Sequence, residues 1–224
     1  KRMQSSTAKQ YLSLHNKTII EHSISAFLDF TFVKSILVPL ALKDCTFQNL
    51  PIAKHEKVIT LDGGKERADS VLNGVKHAID LKCEWVMVHD AARPCVSKDD
   101  IVNLYQTCIK QNSAGILASQ VRDTMKRGYD NTSSQTVIKN TVERKQLWHG
   151  LTPQCAKTAD LFSALTEQIG SEGLIDHKVT DEASALEMSG KSVLLVEGSA
   201  KNIKVTMPED LELAGFYLNS TGTQ

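Results

Sequence analysis

The sequence predicts an α/β protein with a mostly parallel sheet, helices on both faces of that sheet and a protruding β-arm. Three observations support this prediction. Apolar runs of strand length alternate along the chain with segments of helical periodicity. The run 84–89 is almost continuously apolar, which is typical of a strand buried on both faces of a parallel sheet. The polar, turn-rich stretch 121–147 interrupts the alternation and predicts the arm.

The first elements follow from apolar spacing. Residues 18–29 place apolar side chains on one helical face, and residues 66–80 repeat that spacing, so both are predicted helices. Residues 33–39 and 57–62 are short β-rich runs, and the glycine pair 63–64 ends the second of them. The glycines are therefore expected at a turn that leads from a strand into a helix.

The middle of the chain continues the alternation. Strand 84–89 precedes a helix that begins after Ser97, because serine is a favoured N-cap and Asp99 and Asp100 suit the first helical turn. Residues 114–119 form the next predicted strand. Since helices connect these strands, we expect the strands to run parallel.

The arm is predicted from two alternating segments, RDTMKRG and TVIKNTVER, which flank the turn-rich centre GYDNTSSQ within residues 121–147. Arg144 is the last residue of the second segment and is therefore predicted to lie in the return strand of the arm. A hairpin of this length cannot bury both of its faces by itself. We therefore expect the arm to pack against another surface, with a second subunit as the expected partner.

The last part of the chain returns to the α/β pattern. A helix is predicted at 158–169, another after Thr180, and a strand at 192–197. Thr206 and Glu209 have the spacing of a capping box, so they are predicted to open the final helix.

Length and composition narrow the possible functions. The 224 residues suit one α/β domain, and 41% of them are hydrophobic. The formal net charge is zero, so neither nucleic acid nor an anionic membrane surface is an expected partner. No apolar run approaches the roughly 20 residues that span a bilayer. The first ten residues are not followed by the apolar core of a signal peptide.

The cysteines and histidines indicate a reduced, cytoplasmic protein. The five cysteines include no C-x-x-C pair, so neither a disulfide framework nor a zinc site is expected. The seven histidines include no H-x-x-x-H pair, and we predict no metal-ligating residues.

The segment VMVHDAARP ends a predicted strand with Asp90, followed by Ala91, Ala92 and Arg93. Ligands of open α/β sheets bind beyond the carboxyl ends of strands. Asp90 is therefore expected to hold a ligand hydroxyl or a hydrated cation, and the two alanines would let the backbone approach a flat base or sugar. The alternative is that Asp90 caps the turn while Arg93 makes a surface ion pair.

The segment DGGKERADSV leads from a strand into a helix whose second turn contains Ser70. Glycine permits close backbone approach, and helix N-termini bind anions or polar ligand edges. Gly64 and Ser70 are thus candidates for a ligand pocket. A tight turn of purely structural purpose would use the same glycine pair.

Further cations are scattered along the chain. Three of the first nine residues are basic, Arg2 and Lys9 among them, which suits a polyphosphate but is equally typical of a solvated chain end. Thr124, Arg144 and Lys204 lie far apart in the sequence. Nothing in their spacing brings them together, so each by itself is interpreted as a surface residue.

Taken together, these segments resemble one family over essentially the whole chain. The segments occur in this order: GGKERADSVLNG, VHDAARPC, RDTMKR, LWHGLTPQ, VTDEASALE and NIKVTMPEDLELAGFYL. The series is similar to that of the 2-C-methyl-D-erythritol 4-phosphate cytidylyltransferases, which belong to the non-mevalonate isoprenoid pathway. Segments of this length are far more specific than a lone short motif.

The resemblance implies a Rossmann-like, single nucleotidyltransferase domain over residues 1–224 and a homodimer with interlocking arms. It implies CTP and 2-C-methyl-D-erythritol 4-phosphate as substrates, and Mg²⁺ bound mainly through the CTP phosphates. The acceptor phosphate would attack the α-phosphorus of CTP and give 4-diphosphocytidyl-2-C-methyl-D-erythritol and pyrophosphate.

The resemblance also implies roles for residues at matching motif positions. The implied catalytic residues are Arg2, Lys9, Arg144 and Lys204. The implied substrate-binding residues are Gly64, Ser70, Asp90, Ala91, Arg93, Thr124 and Thr152. The two arm residues among them, Thr124 and Arg144, would serve the site of the neighbouring subunit.

The sequence departs from the family pattern in three places. The family has a strand and a glycine-rich loop of the type P-A-A-G-x-G-x-R-M before the lysine that matches Lys9, and this sequence begins inside that motif with KRM. We expect a truncated sequence, because the loss of a central strand would expose two sheet edges. Ala8 replaces a usual proline, and Lys65 stands where an acidic residue is common.

Two other functions stay open at this point. A cytidylyltransferase that acts on ribitol 5-phosphate or another polyol phosphate would share the CTP-side motifs and differ in its acceptor pocket. The segments RDTMKR and LWHGLTPQ favour the methylerythritol enzyme. A non-catalytic nucleotide-binding paralogue would explain the absent glycine-rich loop, but the catalytic-type cations are retained.

Overall fold

The computed structural model describes residues 8–132, 134–170 and 173–221, except for the side chain of Thr221. Within these ranges the strands are β1 (Ser13–Leu14), β2 (Lys17–Thr18), β3 (Ile36–Leu40), β4 (Val58–Asp62), β5 (Trp85–Val88), β6 (Ala114–Gln120), β7 (Met125–Asp130), β8 (Thr136–Val142), β9 (Trp148–Lys157) and β10 (Val193–Glu197). The helices are α1 (Ile19–Leu28), α2 (Arg67–Asp80), α3 (Lys98–Gln111), α4 (Thr158–Glu167), α5 (Glu182–Met188) and α6 (Pro208–Thr221). No helix in the described ranges is long and apolar enough to cross a membrane.

The sheet arrangement corrects the prediction in two respects. Strands β10, β6, β9 and β5 form one sheet in that order, whereas β3 and β4 pair in a separate, parallel sheet. Strands β10 and β6 are parallel, but β9 is antiparallel to both β6 and β5. The larger sheet is therefore mixed rather than mostly parallel, because the chain returns from the arm as a long strand that inserts between β5 and β6.

Helices cover both faces of the larger sheet, as predicted. The side chains of Val86 and Val88 pack on a core cluster built from α2 and α4. The alternate residues of β5, Trp85 and Met87, pack on a second cluster that includes α3. Since successive strand residues point to opposite faces, these contacts place the helices on both sides of β5.

A cavity of about 770 Å³ lies between the two sheets. Its walls include all of β3 on one side and all of β5 on the other. In the described part of the chain, each of these strands is the edge of its sheet. The space extends to Asp90 and Lys204 beyond the carboxyl end of β5.

Within residues 121–147, β7 and β8 pair as an antiparallel hairpin. The hairpin exposes apolar side chains, with Tyr129 51% and Ile138 64% accessible. Arg144 does not lie in the return strand as predicted. Strand β8 ends at Val142, which pairs with the first residue of β7, so no partner strand remains for Arg144. Its guanidinium instead hydrogen-bonds to the carbonyl oxygen of Arg122.

The predicted helix starts are confirmed at one helix and shifted at another. Ser97 caps α3, as predicted. The carboxylate that reaches back from α6 belongs to Asp210 and not to Glu209: its Oδ2 accepts hydrogen bonds at 2.8 Å from the N–H and the hydroxyl of Thr206 and from the N–H of Met207, the residue directly before the helix. Asp210 is the third residue of α6, and this is the position from which a carboxylate reaches back to the cap.

Candidate active site

A cluster of charged side chains surrounds Asp90 just beyond the carboxyl end of β5. Oδ1 of Asp90 lies 3.2 Å from Nη2 of Arg67. Oδ2 lies 2.9 Å from Nζ of Lys204 and 3.4 Å from Nε of Arg93. These cations come from the start of α2, from the loop before α6 and from the turn after β5. The fold thus gathers three distant segments around one carboxylate.

The surrounding cations determine the ionisation of Asp90. Burial by itself would raise the pKa of Asp90, but the charges of Arg67, Lys204 and Arg93 outweigh this effect and lower the pKa to about 2. The carboxylate is therefore ionised at neutral pH and acts as a hydrogen-bond acceptor. Such a group orients cations and hydroxyl groups and does not suit proton transfer near neutral pH.

His89 and Thr152 fix the backbone at Asp90. The N–H of Asp90 donates to Thr152 Oγ1 at 3.1 Å, and this oxygen lies 2.9 Å from His89 Nδ1. His89 Nε2 lies 3.0 Å from the carbonyl oxygen of Arg93. Since a carbonyl can only accept, Nε2 carries the proton and the Thr152 hydroxyl donates to Nδ1. Burial lowers the pKa of His89 to about 4, so this neutral form persists at neutral pH.

A bulge in β9 explains how Thr152 reaches this position. The pairing of β6 with β9 shifts between the pairs Ile116–Gln154 and Ala118–Gly150, and over this stretch β9 has two more residues than β6. Thr152 lies in this bulged stretch, residues 151–153 of β9. A bulge releases residues from regular pairing and re-aims their side chains.

The backbone of the bulge is also linked to the loop that contains Lys204. Asn202 Nδ2 donates to the carbonyl oxygen of Thr152 at 2.7 Å. The carbonyl oxygen of Asn202 in turn accepts from Arg93 Nη1 at 2.7 Å. Asn202 is 1% accessible, so these bonds are shielded from water. The loop is thereby fixed two residues before Lys204.

Gly64 and Ser70 lie together at the start of α2. The N–H of Gly64 donates to Ser70 Oγ at 2.9 Å, and this hydroxyl donates to the carbonyl oxygen of Glu66 at 3.1 Å. A Cβ atom at position 64 would lie 2.2 Å from the Cβ of Asp69. The chain therefore approaches the helix more closely than any residue with a side chain allows.

Comparison with known proteins identifies the family. The model of the family described as IspD, 2-C-methyl-D-erythritol 4-phosphate cytidylyltransferase, matches residues 1–220. The chain belongs to the IspD family.

Individual IspD proteins are similar over almost the whole chain. The 2-C-methyl-D-erythritol 4-phosphate cytidylyltransferase of Colwellia psychrerythraea is 47% identical over 223 residues, which cover 98% of this chain and 90% of that protein. The enzyme of the same name from Salmonella paratyphi A is 50% identical over 221 residues, which cover 99% of this chain and 90% of that protein.

Solved structures of the family share the fold. The crystal structure of the Francisella tularensis enzyme has a TM-score of 0.80 and 37% identity, with coverage of 94% of this chain and 93% of that one. A crystal structure of a 4-diphosphocytidyl-2C-methyl-D-erythritol synthase also has a TM-score of 0.80, with 32% identity and coverage of 94% of both chains. The predicted α/β fold class is thus confirmed, with a mixed sheet in place of the mostly parallel one.

The cavity brings together part of the site predicted for an IspD enzyme. Five of the predicted residues line it: Lys9, Ser70, Asp90, Ala91 and Lys204. Gly64, Arg93 and Thr152 hydrogen-bond to residues of that lining. Arg2 lies outside the described residues. In a single chain, the lining formed by described residues includes neither Thr124 nor Arg144.

Sequence reasoning missed two residues of the cluster, Arg67 and Glu182. Arg67 pairs with Asp90 and also with Glu182, whose Oε1 lies 2.7 Å from Arg67 Nη1. The position of Arg67 in the first turn of a helix, directly after a glycine turn, is a signal that could have identified it. Glu182 gives no comparable signal, because its partner is distant in the sequence.

Proposed function

We propose that this chain is a 2-C-methyl-D-erythritol 4-phosphate cytidylyltransferase, which joins that phosphate to CTP and releases pyrophosphate. The observation that carries the proposal is the convergence of Arg67, Arg93 and Lys204 on Asp90, beside a cavity that Lys9 also lines, in a member of the IspD family. Cations that converge on one cavity suit a reaction between two phosphate anions.

The reaction needs positioning and charge neutralisation rather than proton transfer. The acceptor phosphate is anionic at neutral pH, so its oxygen attacks the α-phosphorus of CTP without a general base. The bond from the α-phosphorus to the bridging oxygen breaks, and pyrophosphate leaves with the bonding electrons. Arg2 and Lys9 would stabilise the charge that grows on the leaving group, whereas Lys204 and Arg144 would hold the acceptor phosphate. Asp90 would accept a hydrogen bond from a sugar hydroxyl.

Magnesium would be held mainly by the phosphate oxygens of CTP. Among the described residues, no group of three or more His, Cys, Asp or Glu side chains is placed to hold a metal ion. The carboxylate of Asp90 already pairs with three cationic side chains. We therefore expect it to contact the magnesium ion only together with the CTP phosphates and not as part of a site made of protein ligands alone. The bound ion would neutralise part of the triphosphate charge.

The arm would complete the site in a homodimer. Thr124 and Arg144 lie next to the hairpin and away from the cavity lining of their own chain. The accessible side chains of Tyr129 and Ile138 offer apolar area for a second subunit. Residues 121–147 would thus serve dimerisation within a single nucleotidyltransferase domain, and the cytoplasm stays the predicted location.

The close approach of Gly64 to α2 is expected to matter for nucleotide binding. Gly64, Ser70, Ala91 and Arg93 would line the cytidine pocket, with Gly64 contributing its backbone. Gly64→Ala forces the backbone away from α2 and should weaken CTP affinity about tenfold or more. Calorimetric titration with CTP measures this change. Gly170→Ala is the control, because its Cβ would meet the carbonyl oxygen of Leu174 at an ordinary 3.7 Å and Gly170 does not line the cavity; equal affinities for the two variants would contradict the pocket assignment.

Release of pyrophosphate from CTP tests the reaction and its acceptor. With Mg²⁺ present, we expect release with 2-C-methyl-D-erythritol 4-phosphate and release about a hundredfold slower with ribitol 5-phosphate. Release with ribitol 5-phosphate alone would establish the sister activity instead. Binding of CTP without release from either acceptor would establish a non-catalytic nucleotide-binding protein.

A further inference from the structure

Glu182 and Arg67 form a two-point ion pair beside the cavity. Oε1 of Glu182 lies 2.7 Å from Nη1 of Arg67, and Oε2 lies 3.1 Å from Nη2. The Glu182 side chain is 3% accessible, whereas that of Arg67 is 40% accessible. Burial by itself would lower the pKa of Arg67, but Glu182 and Asp90 raise it, so the guanidinium stays charged.

The same guanidinium also orients Asp90. Its Nε and Nη2 lie 3.3 and 3.2 Å from Oδ1 of Asp90. This contact leaves Oδ2 to Lys204 at 2.9 Å and Arg93 at 3.4 Å. Because Glu182 holds both outer nitrogens of Arg67, the guanidinium cannot rotate freely and presents its Nε–Nη2 edge to Asp90.

The position of Glu182 is itself fixed from β9. Gln154 Nε2 donates to Asp181 Oδ2 at 2.9 Å, and Gln154 Oε1 accepts from the backbone N–H of Ala183 at 2.8 Å. Gln154 thus holds the residues on both sides of Glu182. Since Gln154 lies two residues beyond Thr152, the strand that supports the backbone of Asp90 also supports the carboxylate that holds Arg67.

We propose that Glu182 is a positioning residue for the cytidylyl transfer, which acts through Arg67 to hold Asp90 in the orientation that keeps Lys204 beside the cavity. The inference rests on the proposed function. Without the charge of Glu182, the guanidinium of Arg67 is free to rotate, Asp90 loses its fixed orientation, and the contact of Asp90 with Lys204 is lost. The transition state then loses a positioned cation, whereas ground-state binding of CTP changes little.

The alternative is that the ion pair only connects α2 to α5 and has no role in the reaction, and this alternative predicts a different result. Replacing both members of a buried ion pair by apolar residues of similar size is often neutral or stabilising, whereas removing one member is strongly destabilising. A purely structural pair would therefore be replaceable with full activity per folded molecule. If the pair positions Asp90, replacing both residues would leave the stability of the fold unchanged but would lower kcat.

The test uses Glu182→Gln, the double variant Arg67→Met/Glu182→Met and a control pair in the full chain. The control is Asp160→Asn/Lys191→Met, which removes an exposed ion pair with an Nζ–Oδ1 distance of 3.0 Å elsewhere on the surface. We expect Glu182→Gln and the double variant to lower kcat about tenfold or more, with the KM for CTP changed less than about threefold. The control should keep the parent values.

Crystal structures of the parent and of Glu182→Gln separate this inference from the proposed function. If the parent releases no pyrophosphate, the proposed function fails, and loss of the Asp90–Lys204 contact in Glu182→Gln still decides the positioning claim. The positioning claim is overturned if either folded variant has the same kcat as the parent. It is also overturned if the Asp90–Lys204 contact is unchanged in Glu182→Gln. Should Glu182→Gln fail to fold, the kcat of the double variant decides in its place.

Discussion

Lys204→Ala is expected to lower kcat/KM at least about a hundredfold, because the ammonium group is the cation that would hold the attacking phosphate. Lys204 is 41% accessible, so its truncation should leave the fold intact. Asp90 keeps two arginine partners in the variant and does not become an isolated buried charge. Steady-state release of pyrophosphate from CTP measures the effect, and thermal unfolding checks the fold.

Lys201→Ala is the matched control for this variant. Lys201 lies in the same loop and is exposed, with its Nζ 6.0 Å from the ring of Tyr217. It has the same charge as Lys204 and no contact with Asp90 among the described ion pairs. Equal kcat/KM for the two alanine variants would show that net positive charge of the loop matters and that Lys204 has no specific role.

Mixing inactive Arg144→Ala with inactive Lys204→Ala is expected to restore activity. In a heterodimer of these variants, one site receives an intact Lys204 from one subunit and an intact Arg144 from the other. Random reassociation makes half of the dimers heterodimers, each with one complete site, so activity should rise to about a quarter of the parent value. Pyrophosphate release before and after subunit exchange measures this recovery.

A mixture of Arg144→Ala with Thr124→Ala serves as the control for this experiment. Both substitutions lie on the arm, so each site of the heterodimer receives one altered arm and neither site is complete. No recovery in the Arg144→Ala and Lys204→Ala mixture would show that the arm serves the site of its own chain. Recovery in the control would show that Arg144 and Thr124 serve different sites, which contradicts an arm that acts as one unit.

Local sequence patterns were sufficient for the elements that lie within one continuous segment. Ser97 caps α3 because a side-chain oxygen and a nearby N–H are all that a cap requires. The strand at Trp85–Val88 could be predicted because both of its faces contact helices, so its residues form a nearly continuous apolar run in the sequence. The position of Asp90 followed from the rule that ligands bind at the carboxyl ends of such strands.

Strand β9 could not be predicted in the same way. Its central residues contain Pro153, and proline in a run normally argues against a central strand, because it cannot donate a hydrogen bond. Here Pro153 lies in the bulge, where regular pairing is interrupted. The antiparallel insertion of β9 between β5 and β6 is decided by tertiary packing, which a local pattern does not contain.

The Arg67–Glu182 pair shows a second limit of sequence reasoning. Its partners are 115 residues apart and meet because α2 and α5 both begin beside the carboxyl end of β5. A single sequence gives residue types and local spacing, but it does not give the distance between segments that are remote along the chain. The surroundings of Arg144 are even harder to predict from the sequence, since the site that it is proposed to serve lies on another subunit.

The bulge in β9 restricts how this protein can vary in length during evolution. Strand β9 has two additional residues at the bulge, which is an even number. The alternation of side chains between the two faces of the sheet is therefore the same on both sides of the bulge, at Trp148 and at Gln154. Losing or gaining one residue at 151–153 would turn every side chain between the bulge and the arm to the opposite face, including Trp148, which packs in the core. Natural insertions and deletions at this point should therefore come in pairs, while the hairpin tip is free to change by single residues.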